Sequence, residues 1–168
     1  MALYRNISTR EFYYQVTAAD MTPNQTMHGG VIMTYMDDAT GTCCHSWANQ
    51  GKADRQHGKK VFTAAFHDIR FLQSPLLDDL IRFTATIIDT GSSSMDAIVY
   101  GEIVPEQGPA ILAAIGFVTY VAVHPDGSKA QVPPLAKSTE TACQYARIAE
   151  QIRQQSKAVT TAIRALND

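Results

Sequence analysis

The sequence lacks the segments that would send the chain into a membrane or mark it for secretion. The stretch from Met1 to Val16 places Arg5, Arg10 and Glu11 among aromatic residues and contains no apolar core typical of a signal peptide. Neither a signal peptide nor a membrane anchor is expected from this pattern. We therefore expect a cytoplasmic protein that has no membrane partner.

Cysteine is scarce, at three residues in 168. Cys43 and Cys44 are adjacent within a helical pattern, where a bond between them would be strained, and Cys143 is far away in sequence. Free thiols in a reducing compartment are the simplest interpretation, which agrees with a cytoplasmic location. At this length the chain does not need a disulfide to bury an adequate core.

The sequence also lacks a charge excess and the common cofactor motifs. The net charge is −2 and no arginine-rich segment occurs, so we expect no nucleic-acid partner. The five histidines show no His-x-x-x-His spacing, and no G-x-S-x-G, P-loop or G-x-G-x-x-G motif is present. We therefore expect neither a metal nor an organic cofactor. A basic segment is either a solvated surface or a contact for phosphates; it contains Lys52, Arg55, Lys59 and Lys60.

Hydrophobic periodicity predicts a single α+β domain over residues 1–168, with a core at about 11–130 and a C-terminal amphipathic helix at about 138–166. Helical spacing of apolar residues predicts a central helix from Gly30 to about Trp47. Five β-type runs predict strands, at Glu11–Thr17, Val61–Leu72, Leu80–Asp89, Met95–Val104 and Ala110–Val123. This order predicts an antiparallel sheet that wraps the central helix, with the long last strand as a candidate central strand. We expect such a sheet to expose an unpaired edge that a second copy covers.

The segment from Asn24 to Asp37 joins a glycine-marked bend to the start of the central helix. Gly29 and Gly30 allow a sharp turn and a close approach of the backbone to a ligand. The first peptide N–H groups of a helix have no partner within the helix, and the helix dipole is positive at that end. The sequence therefore predicts an oxyanion-binding site at Gly29 and Gly30.

The two acids of the central helix, Asp37 and Asp38, are distinguished by a helical projection. If Ile32 is set at zero and each residue advances about 100°, the apolar stripe centres near 50°, Asp37 falls near 140° and Asp38 near 240°. Asp37 therefore borders the buried face, and Asp38 points away from it. Asp37 is either a proton-transfer group or a partly exposed helix acid that pairs with a neighbour.

Two residues before the glycines are further candidates. The side-chain amide of Asn24 either donates to a carbonyl or orients a water; the alternative is a turn-forming Asn that bonds its own backbone. His28 either polarises the same carbonyl or serves only the local structure.

The pattern Asn-x-x-x-His-Gly-Gly-x-x-Met-x-x-Met-Asp, from Asn24 to Asp37, resembles the hotdog-fold acyl-CoA thioesterases, particularly the bacterial short-to-medium-chain group and its cytosolic relatives. Two further segments are similar to that family: Thr63 with Phe71, Leu72, Pro75 and Asp79, and the run Tyr120 to Gly127. Together they cover roughly residues 20 to 130. The chain departs from the family at Asp78, where a turn glycine is frequent, and in the long loop from Asn49 to Lys60.

The resemblance implies a hotdog fold: a curved antiparallel sheet of about six strands wrapped around one helix, here with an extra C-terminal helix. It also implies a homodimer whose active sites are shared between subunits, and a hexamer built as a trimer of dimers or a tetramer. In such a site the residue that matches Asp37 acts as general base or nucleophile, and the residue that matches Asn24 assists. Oxyanion and substrate binding would fall to His28, Gly29, Gly30 and Thr63.

The function implied is hydrolysis of acyl-CoA thioesters to free acid and CoA, in fatty acid metabolism, with CoA entering only as part of the substrate and leaving as product. Two alternatives stay open on the same fold, an acyl-carrier-protein thioesterase and a dehydratase. A dehydratase would need a catalytic His together with a separate Glu, and no helix Glu accompanies His28. A third alternative is a non-catalytic acyl-CoA-binding regulator.

Overall fold

The computed structural model describes residues 8–52 and 58–166. Its elements, in chain order, are β1 (Thr9–Gln15), a 3-10 turn (Ala18–Asp20), α1 (Gly29–Ala48), β2 (Lys60–Phe71), β3 (Leu80–Thr90), β4 (Ser94–Ile103), β5 (Ile111–Val123) and α2 (Glu140–Ala165). The predicted order of strands and helices and the α+β class are confirmed, with boundaries that differ by about two residues. Arg55, in the predicted basic segment, lies outside the described residues. No helix in the described ranges is both long and apolar enough to cross a membrane.

The strands form one antiparallel sheet in the order β1, β3, β4, β5, β2. One prediction is corrected here: the described chain contributes five strands where the resemblance implied about six. The long last strand, β5, is an interior strand as predicted, because it pairs with β4 on one side and β2 on the other; the open edges belong to β1 and β2.

Helix α1 packs against one face of the sheet, which we call the inner face. The helix buries an apolar stripe that includes Ile32, Met36, Ala39 and Cys43. In β3 the alternation is as predicted: Ile81, Phe83, Ala85 and Ile87 are buried against this core. A side chain on Gly116 of β5 would come within 2.8 Å of the Met36 methyl group, so this glycine leaves the space that the methyl group fills. Truncating Met36 to Ala would cost about 2–5 kcal/mol of stability.

Helix α2 packs on the opposite face, which we call the outer face. Ala149 and Tyr145 contact a second apolar cluster that includes Ile88 and Ile98. The cap is formed by Thr139, whose hydroxyl accepts from the Ala142 N–H at 3.1 Å. Beyond residue 156 the helix leaves the sheet, because every described residue from there to 166 is exposed.

The segment that leads into α1 is held at both ends. The buried Asp20 carboxylate accepts from the Thr17 N–H, the Thr17 hydroxyl and the Tyr14 hydroxyl, each at 2.7 Å. The Asp20 carbonyl oxygen accepts from the His28 N–H at 2.8 Å, and the Met27 N–H donates to the Pro75 carbonyl at 2.9 Å. These bonds fix the position at which the helix begins.

The turn before β3 explains one departure from the family pattern. Asp78 has φ +68°, in the left-handed region where glycine is the usual residue. Aspartate tolerates this region better than most residues with a side chain. The turn therefore keeps its shape without the glycine.

Candidate active site

The two neighbouring acids of α1 lie in different surroundings. Asp37 is half-buried and Asp38 is exposed, so the helical register predicted from the apolar stripe is confirmed. Asp37 lines a cleft of about 470 Å³ between α1, the start of β2 and β5. The walls of this cleft comprise Asp37, Asp38, Gly41, Thr42, His45, Val61, Phe62, Thr63 and Tyr120. The catalytic role of Asp37 stays a prediction.

Two hydroxyl groups converge on one oxygen of Asp37. The Thr63 hydroxyl donates to Oδ1 at 2.9 Å, and the Tyr120 phenol donates to the same oxygen at 2.6 Å. The phenol also lies 2.9 Å from the Asp37 carbonyl oxygen. Among the residues that the structure describes, none donates a hydrogen bond to Oδ2, so this oxygen keeps its lone pairs for a ligand or a water.

Strand register brings the two hydroxyls together. Thr63 of β2 and Tyr120 of β5 are direct cross-strand partners, so their side chains project from the same face of the sheet. The pairing shifts between Thr63 and Ala65, which marks a bulge at Ala64. Because a bulge adds one residue to one strand, Thr63 and Phe66 both face the inner core although they are three residues apart.

The start of α1 offers one peptide N–H. His28 is the N-cap, and its ring Nδ1 accepts from the Gly30 N–H at 2.9 Å. The N–H groups of Val31 and Ile32 donate to the His28 carbonyl oxygen. For the Gly29 N–H, the described residues provide no acceptor.

The predicted oxyanion site at Gly29 and Gly30 stays a prediction. The Gly30 N–H donates to the helix cap, so the Gly29 N–H is the open donor in this arrangement. The exposed Phe71 ring lies beside Gly29, within 3.3 Å of where a side-chain carbon would stand.

Asn24 and His28 are exposed residues of the segment before the helix. The Asn24 N–H donates to the Thr22 hydroxyl at 3.2 Å, which is a local turn contact. No hydrogen bond within the described chain joins Asn24 or His28 to Asp37. The His28 ring accepts at Nδ1, so Nε2 is the ring atom that can donate to a ligand in this arrangement.

The candidate residues therefore form two groups. Asp37 and Thr63 share a hydrogen bond, and Asn24, His28 and Gly29 cluster at the helix start. Gly29 and Asp37 are eight residues apart on α1, which corresponds to about 12 Å along the helix axis. One chain does not bring the two groups together.

Other candidate chemistries find little support near this cleft. Cys43 and Cys44 are buried, and burial raises the pKa of the Cys43 thiol to about 11 and that of Cys44 well above its usual value. Within residues 8–52 and 58–166, no cluster of His, Cys, Asp and Glu is arranged to hold a metal.

Lys59, from the basic segment, binds backbone carbonyls of Ala48 and Gln131 at 3.1 and 2.6 Å. This lysine therefore supports the local structure.

Tyr120 is the contact that sequence reasoning did not assign. The signal was present in β5, where alternation places Tyr120 on the same face as Gly116, Val118 and Ala122. A phenol on an otherwise apolar buried face needs a hydrogen-bond partner. The central helix that packs on this face carries Asp37 at its margin.

Comparison with known proteins decides the family. The sequence model of the thioesterase superfamily matches residues 24–108, about half of the chain and the part that contains the helix start, Asp37 and Thr63. The chain belongs to the thioesterase superfamily. The resemblance inferred from the Asn24 to Asp37 pattern is thus confirmed, as are the hotdog fold and the assignment of this thioesterase as an enzyme.

Individual relatives of this thioesterase cover nearly the whole domain. A Bacillus subtilis (strain 168) protein described as the uncharacterized acyl-CoA thioester hydrolase YkhA is 26% identical over 159 residues, spanning 89% of this chain and 86% of the relative. The crystal structure of an acyl-CoA hydrolase from Bacillus cereus superposes with a TM-score of 0.79 at 25% identity, covering 96% and 95% of the two chains. The hexameric thioesterase y2039 from Yersinia pestis gives a TM-score of 0.64 at 25% identity, covering 74% and 94%.

Proposed function

We propose that this thioesterase hydrolyses acyl-CoA to a free carboxylic acid and CoA, at sites that two copies of the chain form together. The observation that carries the proposal is the state of Asp37: Oδ1 is held by two hydroxyls, and Oδ2 is left for a reactant at the margin of a cleft. The B. subtilis and B. cereus relatives, both described as acyl-CoA hydrolases, support the substrate class.

In this reaction Asp37 acts through Oδ2 by one of two routes. As a general base, it takes a proton from water while the water oxygen bonds to the thioester carbon. As a nucleophile, it bonds to that carbon itself, and water then cleaves the resulting anhydride. In both routes the carbonyl oxygen gains negative charge, which the Gly29 N–H stabilises, and CoA departs as a thiolate. A thiol with a pKa near 8.5 leaves readily, so a strong general acid is unnecessary.

The distance along α1 supports a site shared between two chains. An oxyanion donor lies about 3 Å from the carbonyl oxygen, and an attacking atom lies about 3–3.5 Å from the carbon of the same group. Gly29 and Asp37 of one helix are about 12 Å apart, which is too far for both to serve one carbonyl. A second copy that places its Gly29, Asn24 and His28 near this Asp37 removes the conflict.

The open edge of β2 offers the surface for that second copy. An unpaired edge strand presents free N–H and C=O groups, and the exposed Phe62 and Phe71 side chains on β2 add apolar area. We propose a homodimer joined through this edge, with a hexamer or a tetramer as the higher assembly. The hexameric Y. pestis thioesterase is a precedent within the fold.

Replacing Gly29 by proline tests the oxyanion donor, because it removes the N–H and keeps a backbone conformation suited to the start of a helix. Gly29 is the first residue of α1, where proline is tolerated, and His28 has φ −66° and ψ 129°, a conformation compatible with a following proline. We expect Gly29→Pro to lower kcat about 10²- to 10³-fold, measured as thiol release from acyl-CoA. Gly29→Ala is the matched control: it adds a carbon near Phe71 but keeps the N–H, so most of the activity should remain.

Mixed dimers test the shared site. Gly29→Pro and Asp37→Ala chains are each nearly inactive alone, but a hybrid dimer contains one site with an intact Gly29 and an intact Asp37 from different chains. Co-expression should therefore restore about a quarter of the wild-type activity if chains mix at random. If the sites lie within single chains, every hybrid site carries a defect, and the mixture stays as inactive as its components.

The remaining alternatives are separated by substrate. Thiol release from acyl-CoAs of increasing length, compared with acyl groups on a carrier protein, distinguishes the CoA enzyme from a carrier-protein thioesterase. Binding without any release would favour the regulator. Helix α1 contains no Glu to complete a dehydratase pair with His28. A cytoplasmic location, a role in fatty acid metabolism and catalysis without a resident cofactor are parts of the same proposal.

A further inference from the structure

Tyr120 is a buried phenol that both packs in the core and hydrogen-bonds to Asp37. Only 4% of the residue is exposed, and its hydroxyl lies 2.6 Å from Asp37 Oδ1 and 2.9 Å from the Asp37 carbonyl oxygen. A phenol has one proton to donate, and the shorter contact with the charged oxygen takes the larger share of it. Burial, together with the bond to Asp37, raises the pKa of Tyr120, so the hydroxyl stays protonated beside the carboxylate.

The Tyr120 hydroxyl is important because Asp37 has few other partners. Among the described residues, no Lys, Arg or His side chain forms an ion pair with Asp37, so its negative charge is balanced only by hydrogen-bond donors. These donors are Thr63, which is exposed, and Tyr120, which is buried in a sheet interior. The phenol is therefore the donor with less freedom to move, because its strand is paired on both sides.

Gly41 adds an independent observation. It lies one helical turn after Asp37, on the same side of α1, and a carbon atom at its side-chain position would come 3.0 Å from the Tyr120 hydroxyl oxygen. Glycine within a helix is unfavourable for helix stability. Its presence here leaves room for the phenol to reach Asp37.

We propose that Tyr120, with the space left by Gly41, is a positioning residue that holds Asp37 by Oδ1 and thereby directs Oδ2 at the substrate. This inference rests on the proposed function, since it assigns a role to a group that acts through Asp37. Tyr120 does not react itself. Its hydroxyl restricts rotation of the carboxylate and fixes which oxygen meets water or the thioester carbon.

The test combines Tyr120→Phe with Asp37→Ala. Phenylalanine keeps the ring and removes only the hydroxyl, so we expect kcat to fall about tenfold while KM changes less than about twofold. In an Asp37→Ala background the same change should alter the residual rate by less than about twofold, because two residues that act as one unit give non-additive losses. Tyr100→Phe is the matched control, since its hydroxyl pairs with Tyr145 on the outer face.

Gly41→Ala provides a second arm in which no hydroxyl is lost. Alanine favours the helix by about 1 kcal/mol, which offsets the crowding against Tyr120, so the melting temperature should change little, whereas the displaced phenol should lower kcat several-fold. A purely structural Tyr120 predicts a different pattern. In that case the folded Tyr120→Phe and Gly41→Ala variants would keep the wild-type kcat, or Tyr120→Phe would lower the rate by the same factor whether Asp37 is present or replaced by Ala. Either result would overturn the inference. Full activity in Asp37→Ala would instead overturn the proposed function itself.

Discussion

Aspartates lie on both sides of the sheet, and their partners differ in charge. On the inner side, Asp37 of α1 is half-buried and accepts from two neutral hydroxyls, those of Thr63 and Tyr120. On the outer face Asp89 and Asp96 are each only 6% exposed and bind cations from α2 and the segment before it. The same chemical group is therefore used in two ways within one domain.

The outer carboxylates are paired with cations. Arg153 of α2 forms ion pairs with Asp96 and with Asp89, the latter at 3.1 Å, and Lys137 lies 2.9 Å from the other Asp89 oxygen. Burial favours the neutral form of Asp89, but the bonds from Lys137 and Arg153 outweigh it and hold its pKa below the usual value. The Thr119 hydroxyl donates to Asp96 Oδ1, and its oxygen lies 2.7 Å from His67 Nε2.

The difference in partners indicates different roles for the two groups: the outer aspartates attach α2 to the sheet, and Asp37 is the candidate for chemistry. Carboxylates that are buried and paired with cations are covered by those partners, and they tie α2 to the sheet. A carboxylate held at one oxygen by neutral donors has its other oxygen open to a ligand. Cavity size alone favours the wrong face, because the cavity beside Asp89 and Arg153 measures about 610 Å³ against about 470 Å³ beside Asp37.

The largest effect expected is from Asp37→Ala, which should lower thioester hydrolysis about 10²- to 10⁴-fold, as loss of a general base typically does. Melting temperature and oligomeric state should be unchanged, because the side chain is only half-buried. Asp38→Ala is the matched control on the neighbouring, exposed position and should leave the rate nearly intact. Equal losses in the two variants would contradict the assignment of Asp37 as the reactive acid.

Arg153→Met should have the opposite signature, a loss of stability with little loss of activity. The change leaves Asp96 without a cation and Asp89 with Lys137 alone, and we expect about 1–3 kcal/mol of destabilisation, reduced from a fully buried pair because Arg153 is one-third exposed. Hydrogen exchange should show α2 opening first. Arg164→Met, in the exposed last turns of the same helix, is the control for lost charge. A kcat that falls with Arg153→Met at full folding would show that the outer face takes part in catalysis.

Much of the inner face could be predicted from sequence because periodicity there is clear. Alternation in β3 assigned its buried residues, and the stripe on α1 separated Asp37 from Asp38. The run of His28, Gly29 and Gly30 marked the helix start. Each of these signals is local, since it depends on residues within one element.

The contacts between distant elements could not be predicted in the same way. The pairing of Thr63 with Tyr120 depends on a bulge at Ala64, and a shift of one residue would turn either side chain to the other face. The pairing of Asp89 and Asp96 with Arg153 joins residues about 60 positions apart. The His28 cap that occupies the Gly30 N–H is set by a side-chain rotamer, for which the sequence holds no signal.

The smallest effect is expected from thiol alkylation, which asks whether a cysteine rather than a carboxylate carries the reaction. The thiolate is the reactive form, and at pH 8 a thiol with a pKa of about 11, as for Cys43, is ionised in about one molecule in a thousand. Cys44 is buried beside it, whereas Cys143 on α2 is partly exposed. Iodoacetamide should therefore label Cys143 first, as read by mass spectrometry, with no loss of thioester hydrolysis, and Cys143→Ser should abolish that early label. Inactivation that Cys43→Ser or Cys44→Ser prevents would move the nucleophile to a thiol and remove the special status of Asp37.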